Sequence, residues 1–387
     1  MRIAIFGGSF NPPHKGHIEA ALAATRALEA ERLLVIPAGT APHKDEPRVS
    51  APAAERMLLT ELAFAGEPHA EVLGIELERG GKSYTVDTLE TLKGLYPDDE
   101  LWLLMGSDML YSFESWKDYR RILELASLIA FPRERGEAER LRQAASELKE
   151  KYGAVVEIIP FVSTEISSSE LRGLLQNREG RQYLDETVYE EIIKKRLYAA
   201  KPDLAWLRSK AYAMLDERRV PHVAGCEQEA VRLAERWGAD TGEAAEAGIL
   251  HDITKKLKGS EQLKLCDEYD IMTDDDERNN VKLLHSKTGA ACARELFGVT
   301  DAVYNAIFWH TTGKENMTLL EKIVYLADYI EPTRSFDGVE PMRRLAYEDI
   351  DAALEMGLRM SLDELAARGV EPHVNTVKAA EYYKNYR

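Results

Sequence analysis

The stretch FGGSFNPPHKGH, residues 6–17, decides how the first half of the chain is read. It follows an apolar run, RIAIF (2–6), and leads into residues with helical periodicity, so it reads as a strand, a glycine turn and a helix start. Gly7 and Gly8 let the backbone approach a phosphate, and the helix start offers unpaired N–H groups to an anion. Ser9 and Phe10 complete the turn. His14 and His17 stand three residues apart, which sets both imidazoles on one side of the first helical turn. There they suit holding a triphosphate and stabilising charge on a leaving pyrophosphate. No nucleophilic side chain is needed.

Working outward, strand-like runs alternate with helical ones: RLLVIP, a helix near 53–65, AEVLGIEL, a helix near 84–95, ELWLLMG, SLIAF and finally AVVEIIP. This alternation predicts an α/β Rossmann-like domain with a parallel sheet, covering residues 1–198. From Leu204 onward the pattern is helical with almost no strand signal, separated by Gly, Asn and Asp punctuation into about six helices. Residues 204–387 are therefore expected to form an all-α domain, with 199–203 as linker. A length of 387 residues suits two domains.

Composition narrows the function. The net charge of −17 is even along the chain, with 25 basic and 33 acidic residues in 1–200 and 25 and 34 in 201–387. Neither half is a basic nucleic-acid module, so anionic substrates must be met by local groups. The N-terminus carries no export signal, and no stretch approaches the roughly 20 apolar residues of a membrane helix, which predicts a cytoplasmic protein. Three cysteines without CxxC spacing, Cys226, Cys266 and Cys292, argue against disulfides or a thiolate zinc site and read as core residues. Oligomeric state is left open.

A second anion-binding element lies at ISSSELR, 166–172. Ser167 suits an N-cap with Glu170 three residues on, and Arg172 projects from the same first turn as a cation for a phosphate. With PHK (42–44), SYTVDTL (83–89), MGSD (105–108) and the aromatic segment around Trp116, these motifs resemble bacterial nicotinate-nucleotide adenylyltransferase over residues 1–198. The resemblance implies transfer of AMP from ATP, with Mg²⁺, to nicotinate mononucleotide, giving deamido-NAD and pyrophosphate. It places His14 and His17 at the ATP phosphates and Ser168 and Arg172 in the C-terminal phosphate motif. Thr85 and Trp116 fall on the nicotinate side, Lys44 within reach of a phosphate, and Gly106 and Asp108 at the end of a buried strand, with Asp108 facing the adenosine. FPRERGE, 131–137, only loosely matches the family's arginine loop, so neither Arg133 nor Arg135 receives a role.

In the second half, His222, His251, Asp252, His285, His310 and Asp328 form an H…HD…H…H…D series. Imidazole mixed with carboxylate suits iron, manganese or zinc, and six ligands suit two metal ions bridged in part by Asp252. Lys255, four residues after His251 on the same helix face, and Arg334, just after the last ligand, suit neutralising a phosphate, and Thr311 to Gly313 suggest a pocket rim. HDITK, HSKTGA, WHTTG and YLADYIEPTR resemble the HD superfamily, in particular the bacterial family that cleaves diadenosine tetraphosphate symmetrically to ADP. That resemblance implies a di-iron centre, with His222, His251, Asp252 and Asp328 holding one metal and Asp252, His285 and His310 the other.

The expected partners are therefore nicotinate mononucleotide, ATP and a dinucleoside polyphosphate, with no nucleic acid and no membrane. Three alternatives stay open. The first half has pantetheine-phosphate or cytidylyl transfer as a rival chemistry and nicotinamide mononucleotide as a rival substrate. The second half has a nucleotide-sensing HD module as a non-enzymatic rival.

Overall fold

The structure is a computed structural model that describes residues 1–39, 50–133, 136–161 and 164–385. It divides into two compact units, Met1–Lys201 and Pro202–Arg387.

The first unit is built on six parallel strands: β1 (Arg2–Gly8), β2 (Arg32–Pro37), β3 (Ala70–Val72), β4 (Glu100–Gly106), β5 (Ser127–Phe131) and β6 (Val156–Ile158), in the order β3-β2-β1-β4-β5-β6. The near-continuous apolar residues of RIAIF, LLVIP, LWLLM and SLIAF are what a sheet covered on both faces requires. Ile3, Ile5, Leu34, Leu103 and Leu128 are buried among helical residues such as Leu89 and Leu141. The chain winds one way from β1 to β3 and the other way from β4 to β6. β1 and β4 therefore part at their carboxyl ends, which is where open α/β sheets leave a crevice for ligands. Gly7 and Gly8 end one of these strands and Gly106 the other.

One expected strand is shorter than its pattern. AEVLGIEL pairs with β2 only through Ala70–Val72, and Ile75–Arg79 is a short helix. The chain turns at Gly74, so that Leu73 and Ile75 join the core and Glu76 is free to bond with Thr88 instead of continuing the ladder.

In the second unit eleven α-helices occur among the described residues, rather than about six. Caps inside periodic stretches explain the difference. Asp349, for example, ends one helix at Glu348 and caps the next at Ile350. Helix Val220–Trp237 starts with a proline in its first turn and stops at Gly238, in the left-handed region. Helix Thr241–Leu250 is capped by the Asp240 carboxylate and packs against it.

These two helices meet at small residues. A Cβ on Gly248 would stand 2.7 Å from the Glu227 Cα, and Gly225 leaves room for the Glu331 carboxylate. Gly248→Ala is expected to force the pair apart and to destabilise the second unit by about 1–3 kcal/mol. Calorimetry should show its transition lowered while that of the first unit stays in place.

Candidate active sites: a nucleotide crevice and a metal centre

In the first unit, His14 is the N-cap of helix Lys15–Ala27, and its backbone N–H donates to His17 Nδ1 at 3.2 Å. The two rings lie face to face, 3.6 Å between centroids. His14 is buried and its Nδ1 has no hydrogen-bond partner. Burial, with the Arg133 guanidinium as a second cause, lowers its pKa to about 4. The ring is therefore neutral near pH 7, ready to donate from one nitrogen without carrying a fixed charge.

Two cavities open on the crevice and share Gly7, Gly8, Ser9 and Met109. The larger, about 740 Å³, is polar and holds His14, His17, Gly106, Arg133, Ser167 and Glu170. The smaller, about 450 Å³, is mostly apolar and holds Tyr84, Thr85, Asp108, Trp116 and Lys117. A chain of backbone contacts fixes their common wall. The Gly16 backbone approaches Thr164 so closely that a Cβ would stand 2.6 Å from its carbonyl oxygen, and the Thr164 N–H donates to Glu19 at 2.9 Å. Helix Ser168–Gln176 is then pinned to the turn, because Ser168 Oγ donates to the Pro12 carbonyl at 3.0 Å and Arg172 Nη1 to the Asn11 carbonyl at 2.7 Å.

The structure places the remaining expected residues as follows. Arg172 and Ser168 line neither cavity; they hold the glycine turn against the second helix. Phe10 is fully buried under Gly8 and edge-on to His17, a packing role. Asp108 lines the Trp116 cavity and pairs at 2.8 Å with Arg133, which lines the polar one. Ser167 and Glu170 do form the capping box. Lys44 and Arg135 lie outside the described residues.

One residue of this site escaped sequence reasoning. Arg56 is buried and donates to the carbonyls of Ser9 (2.9 Å), Ala38 (2.7 Å) and Gly39 (3.1 Å), fastening the glycine turn from below. Its signal was a cation on the same helical face as Leu59, Thr60 and Ala63.

In the second unit the six predicted ligands converge. Asp252 is fully buried and lies at the centre. Its Oδ2 is 3.7 Å from His222 Nε2 and 3.3 Å from His251 Nε2, and its Oδ1 is 3.3 Å from His285 Nε2 and 3.7 Å from His310 Nε2. Asp328 Oδ1 is 3.1 Å from His222 Nε2. Cys226, expected as plain core, has its sulfur within 4.8 Å of donor atoms of His222, His251 and Asp328.

The outer nitrogens decide the chemistry. Each Nδ1 faces an acceptor: His222 the Glu331 carboxylate at 3.1 Å, His251 the Gly248 carbonyl at 2.8 Å, His285 the Lys282 carbonyl at 2.5 Å and His310 the Ile307 carbonyl at 2.6 Å. Each Nδ1 thus has an acceptor outside, which favours the tautomer whose Nε2 lone pair turns inward toward a bound cation. The facing Nε2 pairs, 3.3 Å apart for His222 and His251 and 3.1 Å for His285 and His310, would be acceptor against acceptor. Such a set fits cations, and the donor types fit iron, manganese or zinc.

The charges agree. Burial pushes the Asp252 pKa up, but His251, His310 and Lys255 outweigh it and hold the carboxyl well below the usual range. Burial lowers the His251 pKa and Asp252 more than reverses this, so the carboxylates draw positive charge to that point. His285 and His310 are lowered by burial and stay neutral.

Three cations ring the centre. Lys255 Nζ lies 2.8 Å from His285 Nε2, Arg334 Nη2 2.5 Å from Asp328 Oδ1, and Arg219 Nε 2.6 Å from Asp252 Oδ2. Arg219 and Glu331 were missed, although each lies three residues from a ligand. Lys255 is not on the helix of His251, as expected; that helix ends at Leu250 and His251 is its C-cap, with Lys255 in the turn beyond. Thr311 Oγ1 lies 3.1 Å from His285 Nε2, at the rim.

The fold and these sites define the class: a nucleotidyltransferase-type α/β unit followed by a helical unit with a histidine and aspartate metal centre. The cytidylyltransferase-like family matches residues 5–174, and the HD domain matches residues 219–333. A Mycoplasma pneumoniae protein named "Probable nicotinate-nucleotide adenylyltransferase/Ap4A hydrolase" is 26% identical over 92% of this chain and 97% of its own length. A "Probable nicotinate-nucleotide adenylyltransferase" of Shouchella clausii is 34% identical over 50% of this chain and 95% of its own. Among solved structures, a Clostridium acetobutylicum protein described as a predicted HD superfamily hydrolase involved in NAD metabolism is 38% identical. That match covers 47% of this chain and 97% of the other, with TM-score 0.46. The chain belongs to the nicotinate-nucleotide adenylyltransferase family, with an HD domain joined behind the transferase.

Two measurements test these sites. In the free enzyme the His14 imidazole is expected to titrate near pH 4 by NMR, and ATP with magnesium should move that midpoint upward; titration near 6.5 would contradict the burial. Glu331→Ala removes the acceptor that orients His222 and is expected to weaken metal binding about 10–100-fold, read by metal analysis after dialysis.

Proposed function

We propose that the first unit transfers AMP from ATP to nicotinate mononucleotide and that the second hydrolyses a dinucleoside polyphosphate, diadenosine tetraphosphate giving two ADP. The observation that carries the transferase reading is the pair of cavities joined at Gly7–Ser9, one polar beside His14 and His17, the other apolar beside Trp116. A triphosphate in the first and a pyridine nucleotide in the second would meet at the glycine turn. Among the described residues no helix is long and apolar enough to cross a membrane. The three free, buried cysteines support a cytoplasmic site of action.

In the transferase step an oxygen of the mononucleotide phosphate attacks the α-phosphorus of ATP in line, the bond from that phosphorus to the bridging oxygen breaks, and pyrophosphate leaves. Neutral His14, together with His17, donates hydrogen bonds to the phosphates, and Arg133 supplies charge beside them. The close-packed turn, held by Arg56 below and Arg172 alongside, keeps these donors in place, and that positioning supplies much of the acceleration. Magnesium accompanies the ATP.

In the second unit, His222, His251, Asp252 and Asp328 would hold one metal ion and Asp252, His285 and His310 the other. When bound, such ions polarise a phosphoryl oxygen and lower the pKa of water. Arg219, Lys255 and Arg334 neutralise the phosphate chain, and Thr311 offers a hydroxyl at the rim. Water adds to one of the two inner phosphorus atoms, the central P–O–P bond breaks, and each half leaves as ADP.

His17→Ala is expected to lower deamido-NAD formation about 10²–10³-fold while leaving the hydrolase intact. Asp252→Ala should abolish hydrolysis and leave the transferase intact. Both are read from a panel of nicotinate mononucleotide with ATP and, separately, diadenosine tetraphosphate. Loss of both activities in either variant would overturn the assignment of one reaction to each unit.

A further inference from the structure

Trp116 has a cavity on either side. One is the apolar cavity that meets the glycine turn; the other, about 700 Å³, opens outward and is lined by Glu90, Tyr119, Arg120 and Arg121 among others. Transfer of AMP to nicotinate mononucleotide makes no use of this outer cavity. Among the described residues that line it, four of the five carboxylates are engaged. Glu90 and Glu124 pair with Arg121 at 3.2 and 2.7 Å, Asp87 pairs with Lys117 at 3.4 Å, and Glu114 accepts from the Tyr152 hydroxyl. The exposed guanidinium of Arg120 leans over two aromatic rings, 5.9 Å from the centroid of Tyr119 and 5.5 Å from that of Tyr152. A guanidinium plane beside aromatic rings suits the flat face of a nucleobase.

We propose that the first unit also transfers AMP to a second ATP, whose base rests in this outer cavity, and so makes diadenosine tetraphosphate. The proposal rests on the transferase reading above and adds an acceptor to it. The chemistry asks one thing of an acceptor, a phosphate oxygen in line with the α-phosphorus of the donor ATP, because no side chain takes part as nucleophile. In nicotinate mononucleotide the ribose carries that phosphate directly, so the ring stays on the inner side of Trp116. A triphosphate inserts two further phosphates, and with its terminal one at the glycine turn the base falls farther out, past the indole. Lys117, the next residue, meets the intervening phosphates at the edge of the inner cavity. An oxygen of the γ-phosphate attacks the α-phosphorus of the donor, the bond from that phosphorus to the bridging oxygen breaks, and pyrophosphate leaves. The product carries four phosphates between two adenosines, which is the compound assigned above to the second unit. Its cleavage there, with one water, returns two ADP. The chain as a whole thus converts two ATP and one water into two ADP and pyrophosphate when the mononucleotide is scarce.

The test incubates the full-length protein with ATP and magnesium alone. In Asp252→Ala, where hydrolysis is blocked, diadenosine tetraphosphate is expected to accumulate with one pyrophosphate per molecule. The unaltered enzyme should instead release ADP and pyrophosphate two to one. Nicotinate mononucleotide should suppress the tetraphosphate, since both acceptors need the same glycine turn. His17→Ala added to Asp252→Ala should lower tetraphosphate and deamido-NAD formation together, about 10²–10³-fold. Arg120→Ala in the Asp252→Ala background is expected to lower tetraphosphate formation about 5–150-fold, the range of one stacked base, while deamido-NAD formation stays level and shows that the unit is folded. No tetraphosphate from a protein that still makes deamido-NAD would overturn the proposal and leave the transferase reading intact. A yield of tetraphosphate unchanged by Arg120→Ala would overturn it as well. A protein that makes neither product would sink the transferase reading and this inference together.

Discussion

A charge removed from water must be met by partners in the protein, and both units are organised around one such charge. In the second unit it is the carboxylate of Asp252, which has no exposure and whose Oδ1 accepts no hydrogen bond. An isolated carboxylate there would cost many kcal/mol, so the surrounding chain is arranged to supply positive charge. Five helices bring their ends or first turns to that point, and small residues at Gly225 and Gly248 allow the approach. In the first unit the buried charge is the guanidinium of Arg56. Three carbonyls from two loops compensate it, and the shape of the glycine turn follows from where those carbonyls must sit.

The two solutions differ in what they leave for a ligand. Arg56 donates to three backbone oxygens and so acts as a fastener, and the turn above it presents glycine and two imidazoles to the crevice. Asp252 is satisfied by groups that would serve a cation better than they serve each other. Four imidazoles with their protons tied outward leave a shell of lone pairs, and its stability depends on what occupies the middle. The first site is held by protein groups; the second has a donor set that suits cations.

Much of this was legible in the sequence, for reasons that can be stated residue by residue. The glycine turn and the HD series carry strong local signals, since a phosphate turn needs glycine next to a helix start and metal ligands need His and Asp on apolar helices. The apolar runs of β1, β2, β4 and β5 announced a sheet buried on both faces. What stayed hidden acts through long-range backbone acceptors or outward-facing nitrogens. Arg56 reaches carbonyls 17 to 47 residues away, and Glu331 touches His222 across 109 residues. Arg172 shows the converse: its type and position suited a phosphate, but the nearest acceptor in the fold is the Asn11 carbonyl. A motif fixes which residues gather, while packing fixes what each one faces.

The distribution of charge explains how an acidic chain can handle polyphosphates. A net charge of −17 divided evenly between the halves gives neither unit a long-range attraction for anions. Each site therefore concentrates its cations within a few ångströms. Arg219, Lys255 and Arg334 converge on the metal centre, and Arg133 with helix N-termini serves the polar cavity. Among the described residues that line the apolar cavity, one is a lysine. Within such short distances the surrounding protein screens less than water, so a few well-placed groups outweigh a larger but distant excess of carboxylates. Recognition in both units is thereby local.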